Sequence, residues 1–182
     1  MPNPFETLGL APTFAIDATD LEQRQRELNR ALHPDRHAGN SPASRRLALS
    51  RAMDVNQAYR TLSDPAARAE ALFELLGANA LASSTVTDPA LLGEMMEQRE
   101  LLDEVRRHKD FGRLQALKSS MAERQRQIVS ALGRAFEPLL SPGAKPGAHS
   151  QQADLESTRR LFTELKYVRR FSEEVAAIED EI

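Results

Sequence analysis

The 182-residue sequence contains no cysteine and no tryptophan, and aromatic residues make up only 5% of it. Without thiols there is no disulfide, no thiol nucleophile and no cysteine-ligated zinc or iron–sulfur site. No apolar run approaches the roughly 20 residues that a membrane helix needs. The opening Met1-Pro2-Asn3-Pro4-Phe5-Glu6 lacks the basic flank and apolar core of a signal or transit peptide. A cytoplasmic protein is expected on both counts. Net charge is only −3, so no global field draws the chain to nucleic acid or to an anionic membrane. Also missing are a glycine-rich phosphate loop, a paired-carboxylate arrangement and a nucleophilic triad, so neither an enzyme nor a bound cofactor is expected.

What is present favours helices. Charged residues make up 28% of the chain, and the mix is rich in Ala, Leu, Glu, Arg and Gln. Asn3 and Pro4 predict a short first helix that ends at Gly9. Asp17 is a good N-cap for a second, with Asp20 at the position of a capping-box acid and Leu21, Leu28, Ala31 and Leu32 at helical spacing. Arg24, Arg26 and Arg30 fall elsewhere on that wheel. Pro34 stops the helix and makes 33–40 a loop. A third helix is predicted from Ser41 or Pro42 to Leu62, facing inward with Ala48, Ala52, Val55, Tyr59 and Leu62. Helices two and three should form an antiparallel hairpin. A fourth is expected over Ala66–Leu76, closed by Gly77.

The segment 79–87 has little periodicity, which sets domains at 1–77 and 88–182 with a linker at 78–87. Three long amphipathic segments follow, near Asp88–His108, Asp110–Glu137 and Ala153–Glu181, and three such helices pack as an antiparallel bundle. The Pro- and Gly-rich stretch 138–152 reads as a flexible connection. Asp88 to Glu104 carries six acids against the single base Arg99, the strongest local charge imbalance in the chain.

His33-Pro34-Asp35 sits at the tip of the predicted hairpin. Val55-Asn56-Gln57-Ala58-Tyr59-Arg60-Thr61-Leu62-Ser63-Asp64-Pro65 closes its second arm, and Pro4-Phe5-Glu6-Thr7-Leu8-Gly9-Leu10 precedes it. Together these segments resemble the J-domain family over about the first 77 residues. The resemblance implies that the His-Pro-Asp loop and the polar face of the preceding helix, with Arg24, Arg26 and Arg30, dock on a DnaK-class chaperone and favour its ATP hydrolysis. The chemistry fits: Pro34 fixes φ, Asp35 is suited to a charge-assisted bond with a partner arginine, and His33 adds a ring donor or acceptor. Two other readings remain. The loop is an ordinary surface turn, or His33, Asp35 and His37 are metal ligands of a hydrolase. His108 and His149 read as surface residues.

Thr85-Val86-Thr87-Asp88-Pro89-Ala90-Leu91-Leu92 and the run from Met96 to Glu104 resemble the C-terminal domain of HscB-type J-proteins, which serve iron–sulfur cluster assembly. The resemblance extends more loosely to Leu165–Phe171. It implies an all-α protein, a J-domain helical hairpin followed by an antiparallel three-helix bundle. The implied partners are an HscA-type chaperone and an IscU-type scaffold. Carried over by position, the scaffold-binding face holds Leu92, Met96, Glu97, Glu100, Glu104 and Tyr167. The positions 92, 96, 100 and 104 step along one slowly drifting side of a helix. Gly93 stands where that family usually has a large apolar contact, and Tyr167 where Phe is common. The plain alternative buries Leu92 and Met96 in the bundle and leaves the acids merely solvated. At the level of function, the alternative is a general J-protein whose C-terminal helices bind other clients or self-associate. Eukaryotic HscB-type proteins often carry an extra cysteine-rich module; its absence points to the bacterial type.

Overall fold

A computed structural model describes residues 2–33, 36, 41–78, 89–141 and 149–179. Among these residues there are seven helices and no strand: α1 (Pro4–Thr7), α2 (Ala18–Ala31), α3 (Pro42–Ser63), α4 (Pro65–Leu75), α5 (Pro89–His108), α6 (Phe111–Leu140) and α7 (His149–Glu179). The chain divides into two compact units, Met1–Asn79 and Ala80–Ile182.

In the first unit the helix ends obey local chemistry. Asn3, Asp17, Ser41 and Asp64 each accept a backbone N–H of the turn that follows, satisfying donors that a helix start leaves orphaned. Gly9 and Gly77 take positive φ, and the residue after each donates back to a carbonyl five residues earlier: Leu10 to Phe5 and Ala78 to Phe73, both at 2.8 Å. Ala78 is buried in this unit. Phe5, Leu8, Phe14, Leu21, Val55, Leu62, Leu72 and Phe73 form the core. Arg68 staples α4 to it. Its Nε donates to the Leu62 carbonyl at 2.8 Å, Nη1 donates to the Phe14 carbonyl, and the guanidinium lies over the Phe14 ring.

The second unit is an up-down-up bundle. Gln115 bonds Glu179, and Arg124 bonds Glu164, so α6 and α7 run antiparallel. Met95 lies by Tyr167, and Arg99 by Glu174, which makes α5 parallel to α7. Leu114, Leu117, Met121, Ile128, Leu132, Phe136 and Leu139 of α6 pack against Phe162, Leu165, Val168, Phe171, Val175 and Ile178 of α7. The connection expected from 138 is shorter than its composition suggests, because α6 passes through Pro138 to Leu140 and α7 begins at His149. Pro138 leaves the Arg134 carbonyl without its helical partner, and Arg134 is on the exposed side of the helix. Burial of Phe136 and Leu139 on either side of Pro138 offsets what is lost.

Candidate functional site

Two surfaces carry the residues singled out by sequence, one on each unit. On the first unit, Asn56 of α3 turns its Oδ1 to α2, accepting from Gln25 Nε2 at 3.0 Å and from Asn29 Nδ2 at 2.9 Å. This part-buried amide cluster sets the rotation of α2 about its axis. Arg26 and Arg30 each follow one of those amides by one position, and both are exposed. Exposed His33 follows two residues past the helix end at Ala31, and Arg26 and Arg30 stand one turn apart on one side of α2. Glu22 shares it too and pairs with Arg26 at 2.7 Å, which lowers the net positive charge of that side.

Arg24 does not join them. Two residues turn a helix by about 200°, and Arg24 instead donates its Nη1 to the Gly9 carbonyl at 3.1 Å, tying α2 to the end of α1. The three arginines therefore divide into a pair on one side of α2 and one that is bonded to the end of α1. Pro34 and Asp35 lie outside the described residues, as does His37 of the metal reading. No group of three or more His, Asp or Glu side chains suited to a metal ion occurs among the described residues.

On the second unit the phase of α5 is set from its far end. Leu102 and Val105 are buried, and stepping back from them by alternate intervals of four and three reaches Gln98, Met95 and Leu91, all half-buried. Leu92 and Met96 are one position off that stripe and stay exposed, at 47% and 58%. They are not core residues. Glu97, Glu100 and Glu104 are exposed around and beyond them, so an apolar pair sits at the head of an acidic helix face.

Tyr167, expected on this face, lies largely buried. Only 9% of it is exposed; its ring stacks on Phe171 with centroids 5.8 Å apart, and its hydroxyl donates to the Met95 carbonyl at 3.3 Å. Burial pushes the phenol above its ordinary pKa. Tyr167 thus supports α5 from beneath instead of presenting a ring beside Leu92 and Met96.

Arg124 was not singled out by sequence, because a lone arginine in an amphipathic helix reads as solvated surface. It lies three residues after buried Met121 and four before buried Ile128, which places it on the border of the α6 core stripe. Its Nη2 donates to Glu94 of α5 at 2.7 Å and its Nε to Glu164 of α7 at 2.8 Å. Burial opposes the Arg124 charge, but hydrogen bonds to Glu94 and Glu164 more than offset this and hold its pKa above the ordinary value. Its place at the border of a core stripe was the one sequence signal that could have flagged it.

Comparison with known proteins covers both units. Residues 87–176 match the family model described as the HSCB C-terminal oligomerisation domain. The chain is 33% identical over 180 residues to a co-chaperone protein HscB homolog of Shewanella halifaxensis, covering 98% of this chain and 97% of that one. It is 32% identical over 174 residues to the homolog from Bordetella pertussis, covering 95% and 94%. The solved chaperone HscB from Vibrio cholerae superposes with a TM-score of 0.75 at 30% identity, covering 98% of each chain. The crystal structure of human co-chaperone protein HscB gives a TM-score of 0.76 at 22% identity and bears on the fold alone.

Proposed function

The chain belongs to the HscB co-chaperone family, and from that premise we propose that it stimulates the ATPase of an HscA/DnaK-class chaperone and delivers an IscU-type scaffold to it during iron–sulfur cluster assembly and transfer. One observation carries the reading: Leu92 and Met96 stand exposed at the head of an acidic helix face, although the half-buried positions of Leu91 and Met95 lie one residue away. Large apolar side chains left in water on a helix otherwise packed by its neighbours suit a protein partner. The acids around them suit a basic rim on that partner and a fast, steered encounter.

The hairpin supplies the other half. In the proposed mechanism, Arg26, Arg30 and His33 meet an acidic or polar surface of the chaperone's ATPase domain, with Pro34 and Asp35 at the tip. No bond is made or broken by this chain. It accelerates hydrolysis only by binding the hydrolysis-competent state of the chaperone more tightly than the other state. Coupling two such surfaces through one chain raises the local concentration of the scaffold at the chaperone. No described helix is long and apolar enough to cross a membrane, and we place this activity in the cytoplasm.

The test is chaperone ATPase turnover with this protein and with the scaffold, separately and together. Stimulation by this chain alone and synergy with scaffold are the expected results. Stimulation without synergy would favour a general J-protein with other clients. A further reading draws on the oligomerisation named for the matched family model: Leu92 and Met96 bury against a second copy. Sedimentation equilibrium of the wild type and the Leu92→Ala, Met96→Ala double variant distinguishes it, since only self-association makes the wild-type mass rise with concentration.

A further inference from the structure

The first three turns of α5 carry the Leu92–Met96 surface, yet none of their described side chains is buried; the buried residues of α5, Leu102 and Val105, belong to its second half. Helical segments of this length owe their order mainly to tertiary packing, so something else must hold this one. Beyond the half-buried Leu91, Met95 and Gln98, the contacts that do so are polar. Arg124 bonds Glu94 and Glu164 at once, the Tyr167 hydroxyl reaches the Met95 carbonyl, and Arg99 donates to Glu174 at 3.2 Å. Of these only Arg124 joins all three helices, and it does so with the two-pronged geometry that a guanidinium has and an ammonium lacks. Its side chain is 29% exposed and that of Glu164 23%, so this pair is partly shielded from solvent, while Glu94 is 53% exposed.

We propose that Arg124 is the positioning residue of the α5 surface: by bridging Glu94 to Glu164 it holds the first half of α5 in the rotation that presents Leu92 and Met96 together. Glu94 lies between those two residues in sequence but about 200° from each around the helix, so a grip on Glu94 turns both toward solvent. Without the bridge the segment spends part of its time undocked, and apparent affinity falls by the fraction that remains competent. The inference rests on the reading of this surface as the scaffold-binding face and extends it to a residue that touches no partner.

The experiment uses the full chain with Arg124→Gln and Arg124→Lys. Hydrogen exchange read by mass spectrometry should show the amides of the first half of α5 exchanging roughly five- to thirty-fold faster in Arg124→Gln, while 101–108 and the core of α6 and α7 stay at wild-type rates. Scaffold affinity should weaken by a similar factor. Arg124→Lys, which keeps the charge but not the fork, should fall between. Adding Gly93→Ala to Arg124→Gln should recover protection, since a Cβ at 93 meets nothing within 4 Å and alanine favours helix over glycine. Wild-type exchange across 89–100 in Arg124→Gln would overturn the clamp. Faster exchange with unchanged affinity would overturn the positioning role. Should the wild type bind no scaffold, the partner assignment alone fails, and the exchange arm still decides whether Arg124 holds α5.

Discussion

Replacing both Leu92 and Met96 by alanine is expected to separate binding from folding. Because they are 47% and 58% exposed, a partner can withdraw only about half of each side chain from water. Full burial of such a side chain contributes about 1.5–3 kcal/mol, so the pair should contribute roughly 1.5–3 kcal/mol in all. That corresponds to a loss of about 10- to 100-fold in Kd for the scaffold, measured by calorimetric titration. The cost to the fold should be within about 0.5 kcal/mol per site, as for exposed positions generally. In a domain of this size that keeps the melting temperature within about 8 °C of wild type. Had the two residues been core, each truncation would cost about 2–5 kcal/mol and the bundle would melt far earlier. Chaperone stimulation in the absence of scaffold should survive, because neither residue belongs to the hairpin unit. An unchanged Kd in a folded double variant would refute the assignment of this surface. A large fall in melting temperature would refute the burial argument behind it.

The remaining expectations are shorter. His33→Gln should abolish stimulation of the chaperone while changing stability by no more than about 0.5 kcal/mol; wild-type stimulation by the purified variant would contradict docking through that end of α2. Tyr167→Phe should cost about 0.5–1.5 kcal/mol through the lost bond to the Met95 carbonyl, and Tyr167→Ala about 3–5 kcal/mol; thermal melts in which both are neutral would show that the ring is not a support of α5. Asp17 is held below the ordinary carboxylate pKa by the backbone N–H groups of Asp20 and Thr19. A depressed folded pKa means that its stabilisation is present above the unfolded value and is lost as pH falls through the folded one. Asp17→Asn keeps a cap but removes the titration, so the stability advantage of wild type over the variant should shrink on acidification; an advantage independent of pH, followed by exchange of the α2 amides, would contradict this.

Much of the architecture was legible because helix ends are local events. Asn3 and Asp17 as caps, prolines at the starts of α1 and α3, and Gly9 and Gly77 at helix ends all act within one or two turns of themselves. Pro138 misled for the complementary reason: its cost is local, but the burial of Phe136 and Leu139 that carries α6 past it depends on α7, far along the chain.

The surfaces were legible in composition but not in phase. Periodicity and charge alone make α5 amphipathic and cluster its acids. The doublets Leu91-Leu92 and Met95-Met96, however, offer two apolar stripes 100° apart. The bundle takes Leu91 and Met95 inward because they fall in step with Leu102 and Val105, whose burial fixes the rotation of the helix, and Leu92 and Met96 are left outside. The same dependence on neighbours made Tyr167 a support, divided Arg24 from Arg26 and Arg30, and turned Arg124 from a surface charge into a bridge among three helices. Helical periodicity specifies which residues share a side, but which side meets another helix depends on groups 15 to 72 residues away, and only their packing decides it.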